Sequence, residues 1–158
     1  MAARRKLTLE RTFRAPIHEV WELWTTRDGI EAWWGPDGFS ISVATIDLRP
    51  GGLLSYSMTA TGAEQVDYMV KAGMPITTKN SRRFVEVDPP RRLVFKEIAD
   101  FIPGVEPYEV ETVVELTEKG DQTRMVLTFE AMHDDRWTQL ATAGREMELA
   151  KLERLLAR

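Results

Sequence analysis

The sequence predicts an α+β fold with seven antiparallel strands, two short helices after the first strand and one long helix at the end. Alternation of apolar and polar residues dominates 39–129, and a period of two is typical of half-buried strands. Apolar residues recur at helical spacing in 17–34 and again in 134–158. The length of 158 residues is close to that of common domains, about 100–150 residues, so we expect a single domain over 1–158.

The N-terminal segment predicts a strand followed by two short helices. Alternate residues in 7–13 are apolar, and Pro16 then lacks a backbone donor and suits the first turn of a helix. Asp28, with Glu31 three residues later, predicts the cap of the second helix, which the Gly-Pro pair at 35–36 ends. The apolar positions of these helices include Ile17, Val20, Trp21, Trp24, Ile30, Trp33 and Trp34.

Six further strands are predicted as three hairpins, each with Gly, Pro or Asp between two alternating runs. The paired runs are 39–43 with 54–58, 84–87 with 93–96, and 110–116 with 125–129. By parity, the side chains expected to face the interior include Tyr56, Met58, Met125, Leu127 and Phe129. Together with the first strand, the hairpins make seven strands.

The last segment, 134–158, predicts a long amphipathic helix. Asp134 and Asp135 are placed to cap it, because carboxylates accept from the free amides of a first turn. An interior helical glycine costs about 0.5–1 kcal/mol relative to alanine, so we expect Gly144 to be a contact point between helix and sheet. The expected apolar side holds Trp137, Leu140, Gly144, Met147, Leu152 and Leu155.

Composition excludes several classes of function. The 21 Lys and Arg against 25 Asp and Glu give a net charge of −4, which does not favour nucleic-acid binding. The absence of cysteine removes thiol catalysis, cysteine-ligated zinc and iron–sulfur clusters. No uncharged run is long enough to span a membrane, and the basic start at 1–6 is not followed by a signal-peptide core. We therefore expect a cytoplasmic protein.

Catalytic motifs are absent from the sequence, and no catalytic residue, metal site or cofactor is predicted. Of the two histidines, His18 is expected on the surface, and His133 stands beside carboxylates that cap the last helix. Glu97 and Asp100 flank the end of a strand, which leaves their role open between solvated carboxylates and an acid–base pair. By parity, Glu109, Glu111 and Glu115 belong to a solvated face.

Several segments resemble one known superfamily over nearly the whole chain. They are 14–16 with Trp21 and Trp24, 33–36, 47–52, 87–93 and Trp137. These motifs resemble the START-like (SRPBCC) superfamily, whose helix-grip fold includes the birch-pollen-allergen type. Within it the chain is similar to bacterial homologues of the activator of the ninety-kilodalton heat-shock-protein ATPase. The resemblance implies a curved sheet packed on the long helix, with a cavity between them, and it carries no shared catalytic residues.

Two segments depart from the family pattern, 61–80 and 100–107. In the first, Thr61 and Glu64 fit a capping box, and the apolar spacing that follows predicts a short lid helix from about Gly62 to Ala72. A helix of this length is marginal alone, so we expect it to lie at the cavity mouth, beside Phe101 and Ile102.

The leading functional hypothesis is the binding of a small hydrophobic or aromatic molecule, such as a lipid or polyketide-like metabolite, in that cavity. The expected ligand-binding residues are Trp34, Tyr56, Met58, Tyr68, Met69, Phe101, Tyr108, Leu127, Phe129, Trp137, Leu140, Gly144 and Met147. One alternative is a cyclase- or hydrolase-like enzyme that uses the same cavity. A second is a stress-related, co-chaperone-like protein that binds a protein partner or forms a homodimer.

Overall fold

A computed structural model describes residues 4–100, 102 and 104–157 and confirms the predicted α+β order. The elements are β1 (Lys6–Phe13), α1 (Ile17–Thr25), α2 (Arg27–Trp33), β2 (Phe39–Ile46), β3 (Leu53–Ala60), α3 (Ala63–Lys71), β4 (Thr77–Asp88), β5 (Arg92–Ala99), β6 (Tyr108–Lys119), β7 (Gln122–Glu130) and α4 (Asp135–Leu156). Within the described residues, no helix is both long and apolar enough to cross a membrane.

The seven strands form one sheet in the order β1-β7-β6-β5-β4-β3-β2, and every neighbouring pair is antiparallel. The three predicted hairpins are confirmed as β2–β3, β4–β5 and β6–β7. The first strand pairs with the last, and Leu9 lies opposite Leu127. The described part of the sheet therefore ends at β1 on one side and at β2 on the other.

The main core lies between the inner face of the sheet, the two short helices and the C-terminal half of α4. Leu149 and Leu152 of α4 are buried in one cluster with Phe95 of β5 and Leu127 of β7. A second, smaller cluster of Ala99, Ile102 and Val110 contacts the half-buried Met132 and Trp137 near the start of α4. The two halves of α4 therefore pack against different groups of side chains.

The orientation of α4 differs from the sequence prediction. Leu140 and Met147 are 53% and 43% exposed, so the expectation that they face the sheet is wrong. Leu140 comes two residues after the buried Thr138, and Met147 two residues after Arg145, which lines the cavity. Two residues correspond to a rotation of about 200° around a helix, so both side chains point away from the sheet. Gly144 is also not a close contact point, because a Cβ built there meets nothing within 4 Å. The prediction assigned apolar residues to the buried side of the helix, whereas the sheet contacts a different stripe of residues.

The predicted cap of α2 needs correction, and the predicted cap of α4 is confirmed. Thr26, and not Asp28, caps α2, because its side chain accepts from the Gly29 amide at 3.0 Å. Glu31 instead accepts from the Val43 amide at 2.7 Å and ties α2 to β2. Asp134 caps α4 as predicted, accepting from the Trp137 amide at 2.8 Å.

The predicted helix in the atypical segment exists as α3, but its surroundings differ from the expectation. Its N-cap is Gly62, which has no side chain to accept a bond, so the capping box is not formed. Thr61 instead donates to the Gly38 carbonyl at 3.3 Å. The helix packs on β3, and its buried Met69 is not a member of the cluster around Ile102.

Candidate functional site

A cavity of about 280 Å³ lies between α4 and the paired strands β5 and β6. Its position agrees with the gap that the sequence resemblance implies. Ile98 is 57% exposed at its wall, so one side of the cavity opens to solvent. The lining residues are Trp34, Glu97, Ile98, Ala99, Val110, Met132, Ala141, Gly144, Arg145 and Glu148.

The cavity combines an apolar wall with three charged groups. Strand pairing places Glu97 opposite Val110, so the β5–β6 ladder supplies both a carboxylate and an apolar surface. Arg145 and Glu148 come from α4, three residues apart and therefore on one face of the helix. Such a mixture of apolar surface and few polar groups is typical of small-molecule sites.

Arg145 presents a guanidinium to this cavity. One of its terminal nitrogens, Nη2, donates to the Thr112 hydroxyl at 3.1 Å. Its Cζ lies 4.4 Å from the centre of the Phe129 ring, a cation–π geometry. Burial lowers the pKa of Arg145 from its ordinary value, although a guanidinium remains charged in proteins.

Arg82 of β4 lies behind the wall and is only 2% exposed. Its guanidinium stacks on Trp34 and Phe95, each ring centre 4.3 Å from Cζ. The nearby carboxylate of Glu97 is 3.8 Å from Nη2, and Nε and Nη2 are buried without a hydrogen-bond partner. Burial opposes the charge, but Glu97 and Tyr56 outweigh it and hold the pKa of Arg82 above its usual value.

Glu148 is a half-buried carboxyl group with a titration near neutrality. It accepts from the Gly35 amide at 2.9 Å, while Lys151 donates to the Gly35 carbonyl at 2.8 Å. Burial raises the pKa of Glu148 to about 7, and the Gly35 bond and Arg145 only partly offset this. Gly35 has a φ of 90°, a conformation that favours glycine, so the turn after α2 is shaped to present its amide to Glu148.

The structure brings only part of the predicted ligand-binding set to this cavity. Trp34 and Gly144 line it, and Tyr108 and Trp137 belong to the neighbouring small cluster. Phe101 lies outside the described residues. The remaining predicted residues lie elsewhere: Tyr56, Leu127 and Phe129 in the main core, Met58 packed against it, Met69 on the buried side of α3, and Tyr68, Leu140 and Met147 exposed.

Neither histidine is among the residues that line the cavity. His18 is exposed, as expected. His133 Nδ1 is 3.0 Å from the Tyr108 hydroxyl, which also accepts from the His133 amide at 3.2 Å. The guanidinium of Arg4 stacks on Tyr108, with its Cζ 4.2 Å from the centre of the ring. The contact between Tyr108 and His133 connects the start of β6 to the turn before α4.

Sequence reasoning missed Arg82, Arg145 and Glu148. A signal for Arg82 was present, since it shares the parity of Phe84, a buried position of the same strand. Arg145 lies four residues before the buried Leu149, about one helical turn, so the pattern of buried leucines in α4 places it on the same face. Within the described ranges, no group of three His, Asp or Glu side chains could hold a metal ion.

Comparison with known proteins places this arrangement in a family. No curated protein matches the chain. Among solved structures, a protein of Nitrosomonas europaea is 25% identical, with 96% of this chain and 94% of that chain covered and a TM-score of 0.71. A protein of Chromobacterium violaceum is 20% identical, covers 97% of both chains and has a TM-score of 0.78.

A match to a family model over most of the chain shows the family, and a solved structure of similar fold agrees with it. The AHSA1-like protein of Aeromonas hydrophila is 22% identical, with 95% of this chain and 90% of that chain covered and a TM-score of 0.72. The family model described as "Activator of Hsp90 ATPase homolog 1-like protein" matches residues 14–157. With its helix-grip architecture, the chain belongs to the family of Activator of Hsp90 ATPase homolog 1-like proteins.

Proposed function

We propose that this protein binds a small hydrophobic or aromatic molecule in the cavity between the sheet and α4. The observation that carries the proposal is the cavity itself, in which apolar side chains surround a few charged groups. Its volume of about 280 Å³ is at the lower end of ligand sites, roughly 300–1,000 Å³. That size favours a compact molecule of one or two rings, or a short chain, over a long lipid tail.

A substitution inside the cavity tests this proposal. Gly144 lines the cavity and a Cβ built there meets nothing within 4 Å, so we expect the side chain of Gly144→Leu to occupy part of the cavity. Ala143→Leu is the matched control, because Ala143 is exposed on the same helix. Native mass spectrometry of the purified proteins should find a co-purified small molecule on the wild type and on Ala143→Leu, and none on Gly144→Leu. Equal occupancy in all three proteins would contradict the proposal.

One observation favours a second function, acid–base catalysis on the bound molecule. Glu97 and Glu148 both line the cavity, and burial raises the pKa of Glu148 to about 7. A group with this pKa exchanges its proton readily at neutral pH. If the co-purified molecule is a substrate, the wild type should convert it on incubation, and Glu148→Gln should bind it without conversion. Conversion by Glu148→Gln at the wild-type rate would contradict this function.

The third function expected from the sequence is interaction with a partner protein. Such an interaction needs exposed apolar surface. Four large exposed apolar side chains lie within one short segment: Tyr68, Val70, Met74 and Ile76. The partner, a role in the stress response, a homodimer and the cytoplasmic location stay predictions.

A further inference from the structure

We propose that the molecule bound in this cavity carries a carboxylate or a similar anionic group that pairs with the guanidinium of Arg145. This inference rests on the proposed function and adds the chemical class of the ligand. The expected occupant is a compact apolar acid, in preference to a neutral molecule of the same shape or to a cation.

Arg145 is the cation that an occupant would reach. It lines the cavity next to Gly144, whose missing side chain leaves open space. A guanidinium has five N–H donors in a planar fork that matches a carboxylate. Arg145 makes one hydrogen bond, to Thr112, and a ring contact with Phe129, and it forms no ion pair with the described carboxylates. Its donor capacity is therefore available to a ligand.

Arg82 provides a second, independent observation. Two of its nitrogens are buried without a hydrogen-bond partner, and Glu97 at 3.8 Å is too distant to form a hydrogen bond. Trp34 and Glu97, which contact or face this guanidinium, are themselves in the cavity wall. The positive charge of Arg82 therefore lies directly behind the cavity and acts on its contents through a medium of low dielectric constant.

The balance of charges at the cavity favours an anion. Two guanidiniums, of Arg82 and Arg145, face two carboxyl groups, of Glu97 and Glu148. Because burial raises the pKa of Glu148 to about 7, this group is only partly ionised at neutral pH. Positive charge then exceeds negative charge, and a bound anion restores the balance. Lys151, which contacts the same turn through Gly35, adds further positive charge nearby.

The rest of the wall selects an apolar body for this acid. Ala99, Val110, Met132 and Ala141 line the cavity, and their side chains contain only carbon and sulfur heavy atoms. A bound apolar group is stabilised when it leaves water for this surface, so a compact ring system suits the cavity. The two requirements together describe an aromatic or short aliphatic monocarboxylic acid.

A matched pair of probes tests the inference. 2-Naphthoate and 2-naphthamide have nearly the same shape, and only the first is an anion at pH 6.5. Isothermal titration calorimetry with the wild-type protein should give a stronger affinity for 2-naphthoate by about 10–100-fold, the range for a hydrogen bond to a charged group. Arg145→Met should reduce this ratio to about 1–3 and leave the affinity for 2-naphthamide within about threefold.

Controls separate charge from folding. Arg154→Met changes an exposed arginine of the same helix and should keep the wild-type ratio. Arg145→Lys keeps the charge but loses the planar fork, so it should keep part of the ratio, and it decides the question if Arg145→Met does not fold. Thermal unfolding of each variant identifies a loss of structure.

The outcomes distinguish the two proposals. Similar affinities of the two probes for the wild type, or an unchanged ratio in Arg145→Met and Arg145→Lys, would overturn the inference and leave the proposed function standing. If neither probe binds the wild type and no small molecule co-purifies, the proposed function fails, and the inference fails with it.

Discussion

Arg82 is a charged side chain packed against aromatic rings, and its burial costs free energy of folding. Buried N–H groups without partners cost roughly 1–3 kcal/mol each, and Arg82 has two such atoms, Nε and Nη2. Stacking on Trp34 and Phe95 and the charge of Glu97 compensate for part of that cost. A residue that is expensive to bury and not fully satisfied indicates a functional constraint in place of a purely structural one.

This view predicts the effect of removing charges from the pair. Glu97→Gln should lower the free energy of unfolding by about 1–2 kcal/mol, since it leaves Arg82 without its carboxylate, and the partial exposure of Glu97 limits the loss. The double variant Arg82→Met/Glu97→Gln should recover wild-type stability or exceed it. Urea denaturation measures both. A double variant less stable than Glu97→Gln alone would show that the pair stabilises the fold.

Glu148 predicts a dependence of stability on pH. Its carboxyl keeps a proton up to about pH 7 in the folded protein, but only to its usual 4.5 in the unfolded chain. The folded state therefore binds more protons between these values, and stability falls as the pH rises through them. The charged groups that act on Glu148 are Arg145, Glu97 and Arg82.

The measurement is urea denaturation at pH 5 and pH 8. The wild type should lose on the order of 2 kcal/mol more than Glu148→Gln between these pH values. Glu146→Gln, at an exposed position of the same helix, should behave like the wild type. If Glu148→Gln shows the same pH dependence as the wild type, the carboxyl is not the titrating group.

At the scale of elements, α4 determines the site because its inner face changes along its length. The C-terminal half buries Leu149, Leu152 and Leu156, whereas the middle presents small and charged residues to the sheet. Small side chains at Ala141 and Gly144 leave the space that forms the cavity. The helix is therefore a closely packed anchor at one end and a cavity wall in the middle.

The open space at Gly144 predicts a stabilising substitution. Gly144→Ala should raise the free energy of unfolding by about 0.5–1 kcal/mol, because alanine restricts the unfolded chain and its Cβ meets no neighbour. Gly29→Ala in α2 is the contrasting control, since its Cβ would collide with the Glu22 carbonyl and should destabilise the protein. Destabilisation by Gly144→Ala would mean that helix and sheet are in closer contact there.

At the scale of the whole molecule, one antiparallel sheet holds the cavity between its middle strands and α4. Local periodicity was sufficient to predict the seven strands, the hairpins and the helices, because each depends on neighbouring residues. The cavity lining depends on how α4 is rotated against β5 and β6, which no local pattern contains. Arg145 and Glu148 were therefore not recognised as site residues, and Leu140 and Met147 were assigned to the interior because they are apolar.

The central claim, that a small apolar acid occupies this cavity, is tested most directly by locating a bound probe. In solution NMR with 2-naphthoate and methyl-labelled protein, we predict intermolecular NOEs from the ring protons to the methyl groups of Ala99, Val110, Met132 and Ala141. NOEs confined to methyl groups outside the cavity, such as those of the exposed Val70, Met74 and Ile76, would contradict the account.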